Sequence, residues 1–268
     1  MAQRLTLAID VGNSRIKFGV LHRNPSAASN SALPAILASL AAPIEGDLDW
    51  RAVTAHFATW QPSIARVAIA GVNPAGVEKI IAGWPHDVWP APRVLRGAAD
   101  LLLRVNLESP DRVGIDRLLD AVAANLLRKP DQPVIVIDSG TATTVDLVSG
   151  SGAFEGGAIL PGLQLGARAL HQFTALLPLI DLAALEAGAV APLGRDTDAA
   201  IRSGLWFGQI GAVRELVARL AESAGRPPLL LVTGGDGRSL AGALGPPFRF
   251  EPDLALCGLA WLVESGGS

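Results

Sequence analysis

The chain has 268 residues, of which half are apolar and 18% are charged, and its formal net charge is −3. A chain of this length and composition can bury two substantial cores and does not have the make-up of a disordered protein. The weak negative charge and the absence of a basic run exclude the electrostatic footprint of a protein that binds nucleic acid or an anionic membrane.

The N-terminal segment predicts a β-hairpin with strands over Leu5–Asp10 and Arg15–Leu21. Its turn, Val11–Ser14, contains a glycine that lets a ligand approach the backbone, and Lys17 brings a cation back on the second strand. We interpret this turn as a phosphate cradle. The same residues also fit an ordinary Asx-type hairpin turn, so the turn alone does not decide its role.

The following segment predicts a sheet with helices on its faces. The predicted elements are a polar turn over Asn24–Ser31, helices over Ala32–Ala41 and Trp50–Trp60, a strand over Ile64–Gly71 and a helix over Val77–Gly83. This alternation favours an α/β fold over an all-β fold. Trp84 and Trp89 are predicted to pack in the core, with a cleft wall as the alternative.

An acidic residue opens the next predicted helix. The segment Gly114–Arg117 precedes a helix over Leu118–Leu127, and the boundary between two lobes, residues 1–117 and 118–268, is placed here. By its position Asp116 fits a helix N-cap. It also fits a general base that accepts the proton of an incoming hydroxyl, with Arg117 holding a carboxylate of the substrate.

The first hairpin pattern recurs in Val134–Val148. Four β-branched residues lead to Asp138, a turn follows over Ser139–Thr141, and a second β-rich run begins. An acid followed by a glycine-containing turn therefore occurs once in each half. This repeat predicts two related lobes that face each other across a cleft and bind one polyphosphate.

The C-terminal half predicts a glycine-rich turn over Ser149–Gly157, a loop over Ala158–Gly162 and a buried strand over Leu229–Thr233. The predicted helices are Leu165–Phe173, Ala183–Ala187, Ala199–Leu205, Ala212–Ala224 and Leu254–Val263. Thr197 fits either a helix cap or a ligand contact. The glycines after the strand suit an adenosine lying against bare backbone, and they suit an ordinary strand end equally well.

These motifs together resemble those of a known family. The two acid–glycine turns are similar to the phosphate motifs of the actin, sugar-kinase and heat-shock-ATPase superfamily. Gly114–Arg117 resembles the Gly-x-Asp-Arg signature of type III pantothenate kinases, and Gly156–Leu163, Asp196–Gly204 and Thr233–Asp236 resemble later motifs of that family in the same order. The resemblance implies two similar actin-like (ribonuclease H-like) lobes, each a mixed sheet flanked by helices, with an ATP cleft between them.

The resemblance also implies the activity: phosphorylation of pantothenate by ATP to 4′-phosphopantothenate, the first step of coenzyme A biosynthesis. The implied ATP-binding residues are Asp10, Val11, Gly12, Asn13, Ser14, Arg15, Ile16, Lys17, Gly140, Thr141, Gly234 and Gly235. The implied pantothenate-binding residues are Leu107, Gly114, Ile115, Asp116, Arg117 and Thr197. Asp116 is the implied catalytic base, Asp10 the partner of Mg²⁺ through water, and Asp138 the ligand of K⁺ or NH₄⁺. A homodimer is implied, with Thr197 reaching pantothenate across the subunit interface.

One position departs from the family pattern. The family carries a tyrosine seven residues before the signature glycine, whereas this chain has Leu107 there and contains no tyrosine. Leucine replaces the apolar contact of the ring but not its hydroxyl, so we expect a weaker or altered acceptor site. Two alternatives therefore stay open: a non-catalytic nucleotide-binding accessory or transcription factor of the same family, and a small-molecule kinase with another acceptor.

No motif indicates a different chemistry. The histidines are isolated and lack metal-ligand spacing, and the chain has neither a P-loop nor the nucleophile elbow of a hydrolase. The single cysteine, Cys257, forms no internal disulfide and is predicted to be buried as a small apolar residue. Without a predicted signal peptide or membrane span, we expect a cytoplasmic enzyme.

Overall fold

The computed structural model describes residues 4–23, 32–182 and 190–265. Within these residues the chain forms two compact units. The first contains the chain up to Arg128 and again from Asp253 onward, and the second contains Lys129–Pro252. Each unit has a five-stranded sheet and a buried core of its own.

The sheet of the first unit has the strand order β3-β2-β1-β4-β5. Its strands are β1 (Leu5–Val11), β2 (Arg15–His22), β3 (Ala35–Pro43), β4 (Ile64–Gly71) and β5 (Arg93–Leu95). The first three form an antiparallel meander, and β4 and β5 run parallel to β1. The predicted helix over Ala32–Ala41 is wrong. Most of it forms β3, an edge strand with period-two burial, because pairing with β2 outweighs the helix propensity of its alanines and leucines.

One face of this sheet is covered by an aromatic core. Leu7 and Ile9 of β1 are fully buried there, and Trp84 and Trp89 are buried beside them, which confirms the prediction of core packing. The ring centroids of the two tryptophans are 5.6 Å apart. Two capped helices complete the layer, α1 (Trp50–His56) and α2 (Pro74–Ala82). The side chain of Asp49 accepts hydrogen bonds from two backbone amides of α1, and that of Asn73 accepts one from α2.

The other face of β1 is covered by the C-terminal helix. The residues that alternate with the aromatic core point the opposite way, and Thr6 donates a hydrogen bond of 2.7 Å to Glu264. That helix, α7 (Leu254–Ser265), also packs closely on α3 (Ile115–Leu127). Both helices therefore belong to the first unit, and the units divide after Arg128 and after Pro252, a division that differs from the predicted boundary at residue 117.

The second unit repeats the sheet order as β8-β7-β6-β9-β10. Its strands are β6 (Val134–Ser139), β7 (Ala142–Val148), β8 (Phe154–Pro161), β9 (Leu229–Thr233) and β10 (Arg249–Phe250). Again the first three are antiparallel and the last two run parallel to the first. The predicted loop over Ala158–Gly162 is wrong as far as Pro161, because these residues pair with β7 despite their glycines and proline.

Three helices of the second unit are described: α4 (Leu163–Gln172), α5 (Thr197–Ala224) and α6 (Gly237–Leu244). α5 is one helix of 28 residues where two shorter helices were predicted. Its glycine-containing middle stays helical because Trp206, Ile210 and Val213, at helical spacing, are buried in the core. The turn predicted over Asn24–Ser31 and the helix predicted over Ala183–Ala187 lie outside the described residues.

Candidate active site

The first hairpin brings an acid and a cation side by side. Asp10 and Lys17 are directly opposite each other in the antiparallel ladder, so their side chains share one face of the sheet. The turn is closed by Gly12, whose amide donates a hydrogen bond of 3.0 Å to the carbonyl of Arg15. That donor is therefore already used within the hairpin.

The remaining residues of this turn differ in what they expose. Asn13, Ser14 and Arg15 are exposed, whereas the side chains of Val11 and Ile16 are buried in the aromatic core. Asn13, Ser14, Arg15 and Lys17 are thus the predicted phosphate ligands of this turn whose side chains a ligand could reach. Val11 and Ile16 can offer only their backbone and act mainly as anchors of the hairpin.

Asp116 lies in the first turn of α3. The N-cap position is occupied by Gly114, so the interpretation of Asp116 as the N-cap is wrong. Its Oδ1 accepts a hydrogen bond of 2.8 Å from the amide of Arg117. A β-carbon at Gly114 would lie 2.6 Å from that same Oδ1, so a larger residue at this position would displace the carboxylate.

Burial raises the pKa of Asp116 above its ordinary value, and the hydrogen bond from the amide of Arg117 and the charge of that residue only partly oppose the shift. A carboxylate with a raised pKa is a better proton acceptor than an exposed one. Asp116 therefore holds a proton more readily than an exposed aspartate does.

A short chain of contacts connects Asp116 to the first hairpin. The amide of Val72, which follows β4, donates a hydrogen bond of 3.1 Å to the carbonyl of Val11. The side chain of Val72 in turn lies 3.3 Å from where a β-carbon on Gly114 would be. The start of α3 therefore lies at the end of the sheet that carries Asp10 and Lys17, and the structure brings these predicted residues together within one unit.

The other predicted acceptor residues near Asp116 are less uniform. Ile115 is buried with 3% of its side chain exposed, so it supports α3 and offers no side-chain contact to a ligand. Arg117 is partly buried and engaged in interactions of its own. Leu107 lies in an irregular segment shortly before the signature and is partly buried.

One residue near the hairpin was missed by the sequence analysis. The Nζ of Lys17 lies 3.8 Å from Oδ1 of Asp253, the residue that precedes α7. The two residues are far apart in the chain, and nothing in the local sequence signals their pairing. Only the return of the C-terminal helix to the first sheet brings them together.

The second hairpin has the same framework. Asp138 is opposite Thr144 in the antiparallel ladder and opposite Thr233 in the neighbouring parallel strand. The amide of Gly140 donates a hydrogen bond of 3.0 Å to the carbonyl of Ala142, and Thr141 is exposed. As in the first hairpin, the glycine amide is used by the turn itself.

The predicted adenosine glycines lie beside this second hairpin. Gly234 has a positive φ of 93°, and any β-carbon there would collide with the carboxylate of Asp138 and the backbone of Ser139. Gly235 is exposed with open space around it. The amide of Asp236 bonds to the carbonyl of Ser139 at 3.0 Å, so the turn is fixed against β6.

Thr197 begins α5 and is exposed, but it is not the helix cap. The neighbouring Asp196 has that role, because its side chain accepts a hydrogen bond of 2.7 Å from the amide of Ala199. The interpretation of Thr197 as a plain cap is therefore wrong, and its side chain lines a groove of about 1260 Å³ along α4 and α5.

That groove is mainly apolar. Phe173 lines it with 79% of its surface exposed, and Leu176 and Phe207 are further large apolar residues exposed in this unit. Among its polar lining residues, Gln209 is buried, and no described residue forms a hydrogen bond with its Nε2. Exposed large apolar residues along a groove are typical of a surface that has a partner.

No group of three or more histidine, cysteine or carboxylate residues within 4–23, 32–182 and 190–265 could hold a metal ion. Over the same ranges, none of the helices combines the length and the hydropathy needed to cross a bilayer.

The sequence is similar to one family along most of its length. A sequence model of the family described as type III pantothenate kinase matches residues 6–219. The type III pantothenate kinase of Caulobacter vibrioides is 39% identical over 168 residues, and this alignment covers 63% of each chain, so this chain spans less than two thirds of that relative. The one from Aromatoleum aromaticum is 34% identical over 257 residues, covering 96% of each chain.

Among solved structures, a protein of Sinorhizobium meliloti provisionally described as a 2-dehydro-3-deoxygalactonokinase aligns over 97% of this chain and 98% of its own. The TM-score is 0.57 and the identity is 18%. At that identity the likeness concerns the fold alone. It confirms the predicted α/β class with two mixed sheets flanked by helices.

Proposed function

The chain belongs to the family of type III pantothenate kinases, and from this premise we propose that it transfers the γ-phosphoryl group of ATP to the terminal hydroxyl of pantothenate, the first step of coenzyme A biosynthesis. The observation that carries the proposal is Asp116, a carboxylate with a raised pKa. It lies at the end of the sheet where Asp10 and Lys17 are opposite each other in the ladder. A protein that only binds nucleotides has no need of such a base.

In the proposed reaction, Asp116 accepts the proton of the pantothenate hydroxyl as its oxygen forms a bond to the γ-phosphorus of ATP. The bond between that phosphorus and the β–γ bridging oxygen breaks, and ADP leaves with the electron pair. Arg117 is the proposed partner of the pantothenate carboxylate, since a guanidinium binds carboxylates bidentately. Thr197 is the proposed hydrogen-bond partner of the same substrate.

Asn13, Ser14 and Lys17 are the proposed ligands of the ATP phosphates, and Thr141 is a further proposed phosphate ligand. These residues are exposed or partly buried at the ends of their hairpins. Gly234 and Gly235 are the proposed adenosine contacts, because bare backbone accepts a flat ring at close range. Because the glycine amides of both turns bond within the hairpins, side chains carry more of this binding than the sequence suggested.

An ATP-dependent kinase acts with a divalent cation, and we propose Mg²⁺ held through water by Asp10. The carboxylate oxygen is a donor that this cation prefers, and the bound ion neutralises charge on the phosphates. Asp138 is the proposed ligand of K⁺ or NH₄⁺. The carboxylate oxygen is a hard donor of the kind that such ions prefer, and Asp138 lies next to Gly234 and opposite Thr144 in the ladder.

We also propose that the protein acts as a homodimer in the cytoplasm, with the α4–α5 groove as the contact surface. The support is its exposed apolar residues, which a second copy would cover. Light scattering should give a dimer, and Phe173→Glu should give a folded monomer. A monomeric wild-type chain at micromolar concentration would contradict this part of the proposal.

A different small acceptor is the second candidate function, and Leu107 is the observation that favours it. The leucine cannot supply the hydroxyl of the family tyrosine, so the pocket has lost one donor. If pantothenate is the substrate, Leu107→Tyr should lower its KM and leave the KM of ATP unchanged. A rise in the KM of pantothenate would favour another acceptor.

The decisive experiment is an assay of ADP formation that depends on pantothenate, with K⁺, NH₄⁺ or Na⁺ as the monovalent cation. We expect turnover that requires pantothenate and is faster with K⁺ or NH₄⁺ than with Na⁺, and we expect Asp138→Asn to remove that difference. ATP binding without turnover on any small alcohol would instead support the accessory-factor alternative.

A further inference from the structure

The ion pair between Lys17 and Asp253 lies beside the proposed phosphate site. Nζ and Oδ1 are 3.8 Å apart, and the side chains are 32% and 27% exposed. Lys17 is also opposite Asp10 in the ladder, so the two side chains share one face of the sheet. Together with the exposed Arg15, this end of the hairpin carries two cationic and two anionic side chains, and Asp253 supplies one of the negative charges that an arriving polyphosphate meets.

The backbone fixes the position of Asp253. Its φ is 51°, a left-handed conformation that few residues other than glycine, asparagine and aspartate adopt readily. Its carbonyl accepts a hydrogen bond of 3.2 Å from the amide of Cys257 in the first turn of α7. A buried helix thus holds the carboxylate next to Lys17, and it is not a freely moving surface charge.

From this arrangement we propose that Asp253 competes with the phosphates of the nucleotide for Lys17, and so lowers the affinity of the site for ATP. The inference rests on the proposed function, because it takes Lys17 as a phosphate ligand. Asp253 is then a residue that tunes nucleotide binding and release and takes no part in the chemical step.

Two opposing effects decide the sign. Asp253 orders the lysine side chain, which would favour binding, but a partly exposed ion pair at this distance contributes little. Its charge also repels every negative charge of an arriving polyphosphate, and this repulsion acts at longer range. We take the repulsion to be the larger effect, so removing the charge should strengthen binding.

The test is calorimetric titration of the full chain with ATP and, separately, with inorganic tripolyphosphate. Asp253→Asn keeps the shape of the residue and tolerates the positive φ. We expect its Kd for both ligands to fall by about three- to tenfold at low salt, and by less as salt screens the charges. Asp87→Asn is the matched control, since it removes an exposed acid in a turn of the same unit and should leave both Kd values unchanged.

A double-mutant cycle shows whether the effect passes through Lys17. In the Lys17→Met background, Asp253→Asn should change either Kd by at most about twofold. An unchanged or weaker affinity of Asp253→Asn in the wild-type background overturns the inference, and so does a full gain in the Lys17→Met background. Asp253→Gly also accepts positive φ and provides the same test if the asparagine variant does not fold.

The tripolyphosphate arm separates this inference from the proposed function, because it requires neither adenine nor pantothenate. A chain that phosphorylates no pantothenate but whose Asp253→Asn variant binds tripolyphosphate more tightly keeps the inference and contradicts the kinase proposal. A chain that phosphorylates pantothenate but shows no change in Asp253→Asn does the reverse.

Discussion

The first hairpin of each sheet has the same backbone arrangement as the other, but the two carry different side chains. In each, an acid is the second-last residue of the first strand, and a glycine amide bonds to the carbonyl that begins the next strand. The residue opposite the acid is Lys17 in the first hairpin and Thr144 in the second. The matched position therefore holds a cation in one unit and a neutral hydroxyl in the other.

The repeat therefore fixes where the acid and the residue opposite it lie, whereas the chemistry of that opposite residue differs between the two units. The first unit carries the charged groups of the proposed phosphoryl transfer, Lys17 and Asp116. The second unit depends more on close backbone approach, because Gly234 lies directly against Asp138. Substitutions in the two units should therefore have different effects, mainly on activity in the first unit and mainly on stability in the second.

The largest effect is expected in the first unit, at Asp116. Asp116→Asn removes the proton acceptor and should lower kcat by about 10²–10⁴-fold, while the Kd of ATP changes little. Steady-state kinetics and ATP titration of the same preparation measure both quantities. A variant with the wild-type rate would show that Asp116 is not the base.

The second unit should be more sensitive to its backbone. Gly234→Ala introduces a β-carbon at positive φ against Asp138 and should lower the free energy of unfolding by roughly 2–3 kcal/mol, as measured in urea. The control is Gly140→Ala, where the new atom would meet Ala142 at an ordinary 3.8 Å. Equal losses in the two variants would contradict this reading of the second unit.

Substitutions of Lys17 and Thr144, the residues opposite the two acids, should change the Kd of ATP by smaller and unequal amounts. Lys17→Met should raise the Kd of ATP about tenfold, because it removes a charge that binds phosphate. Thr144→Val removes only a hydroxyl at the equivalent position and should raise the Kd by less than about twofold. If the threonine variant lost as much affinity as the lysine variant, the two hairpins would share phosphate binding equally.

The smallest expected effect is on the pH dependence of activity and stability. The deprotonated carboxylate of Asp116 is the base, so kcat/KM should fall as the pH falls through its raised pKa, above the usual range of aspartate. The stability of the fold responds to pH in the opposite direction. The folded state binds this proton more tightly than the unfolded state does, so the charge destabilises the fold at neutral pH and the loss is relieved on acidification. Asp116→Asn should therefore raise Tm slightly at pH 7, and a lower Tm would contradict the assignment of burial as the cause.

Much of this architecture was readable from the sequence, because the repeat combines apolar strands with fixed turn residues. Both hairpins, the β4 strand and the helix after the signature follow from such local patterns. The strand β3 did not, since its alanines and leucines favour a helix until pairing with β2 decides otherwise. The continuity of α5 also depended on burial of Trp206 and Ile210, which its glycines concealed.

The candidate site was readable in part for the same reason. Asp10, Lys17 and Asp138 lie in short motifs whose spacing survives folding. Asp253 was invisible because it reaches Lys17 only through the packing of α7 on the first sheet. The N-cap assignments of Asp116 and Thr197 failed because a neighbouring residue occupies each cap.

The helix α7 has a consequence for how the protein is made. Its twelve residues are the last described ones to leave the ribosome, yet Leu254, Leu256 and Leu259 are buried in the unit that the ribosome synthesises first. One side of β1 in the nascent chain therefore stays uncovered until α7 has been synthesised. A stop codon just before Leu254 would leave every motif translated and would still deprive the N-terminal half of its cover.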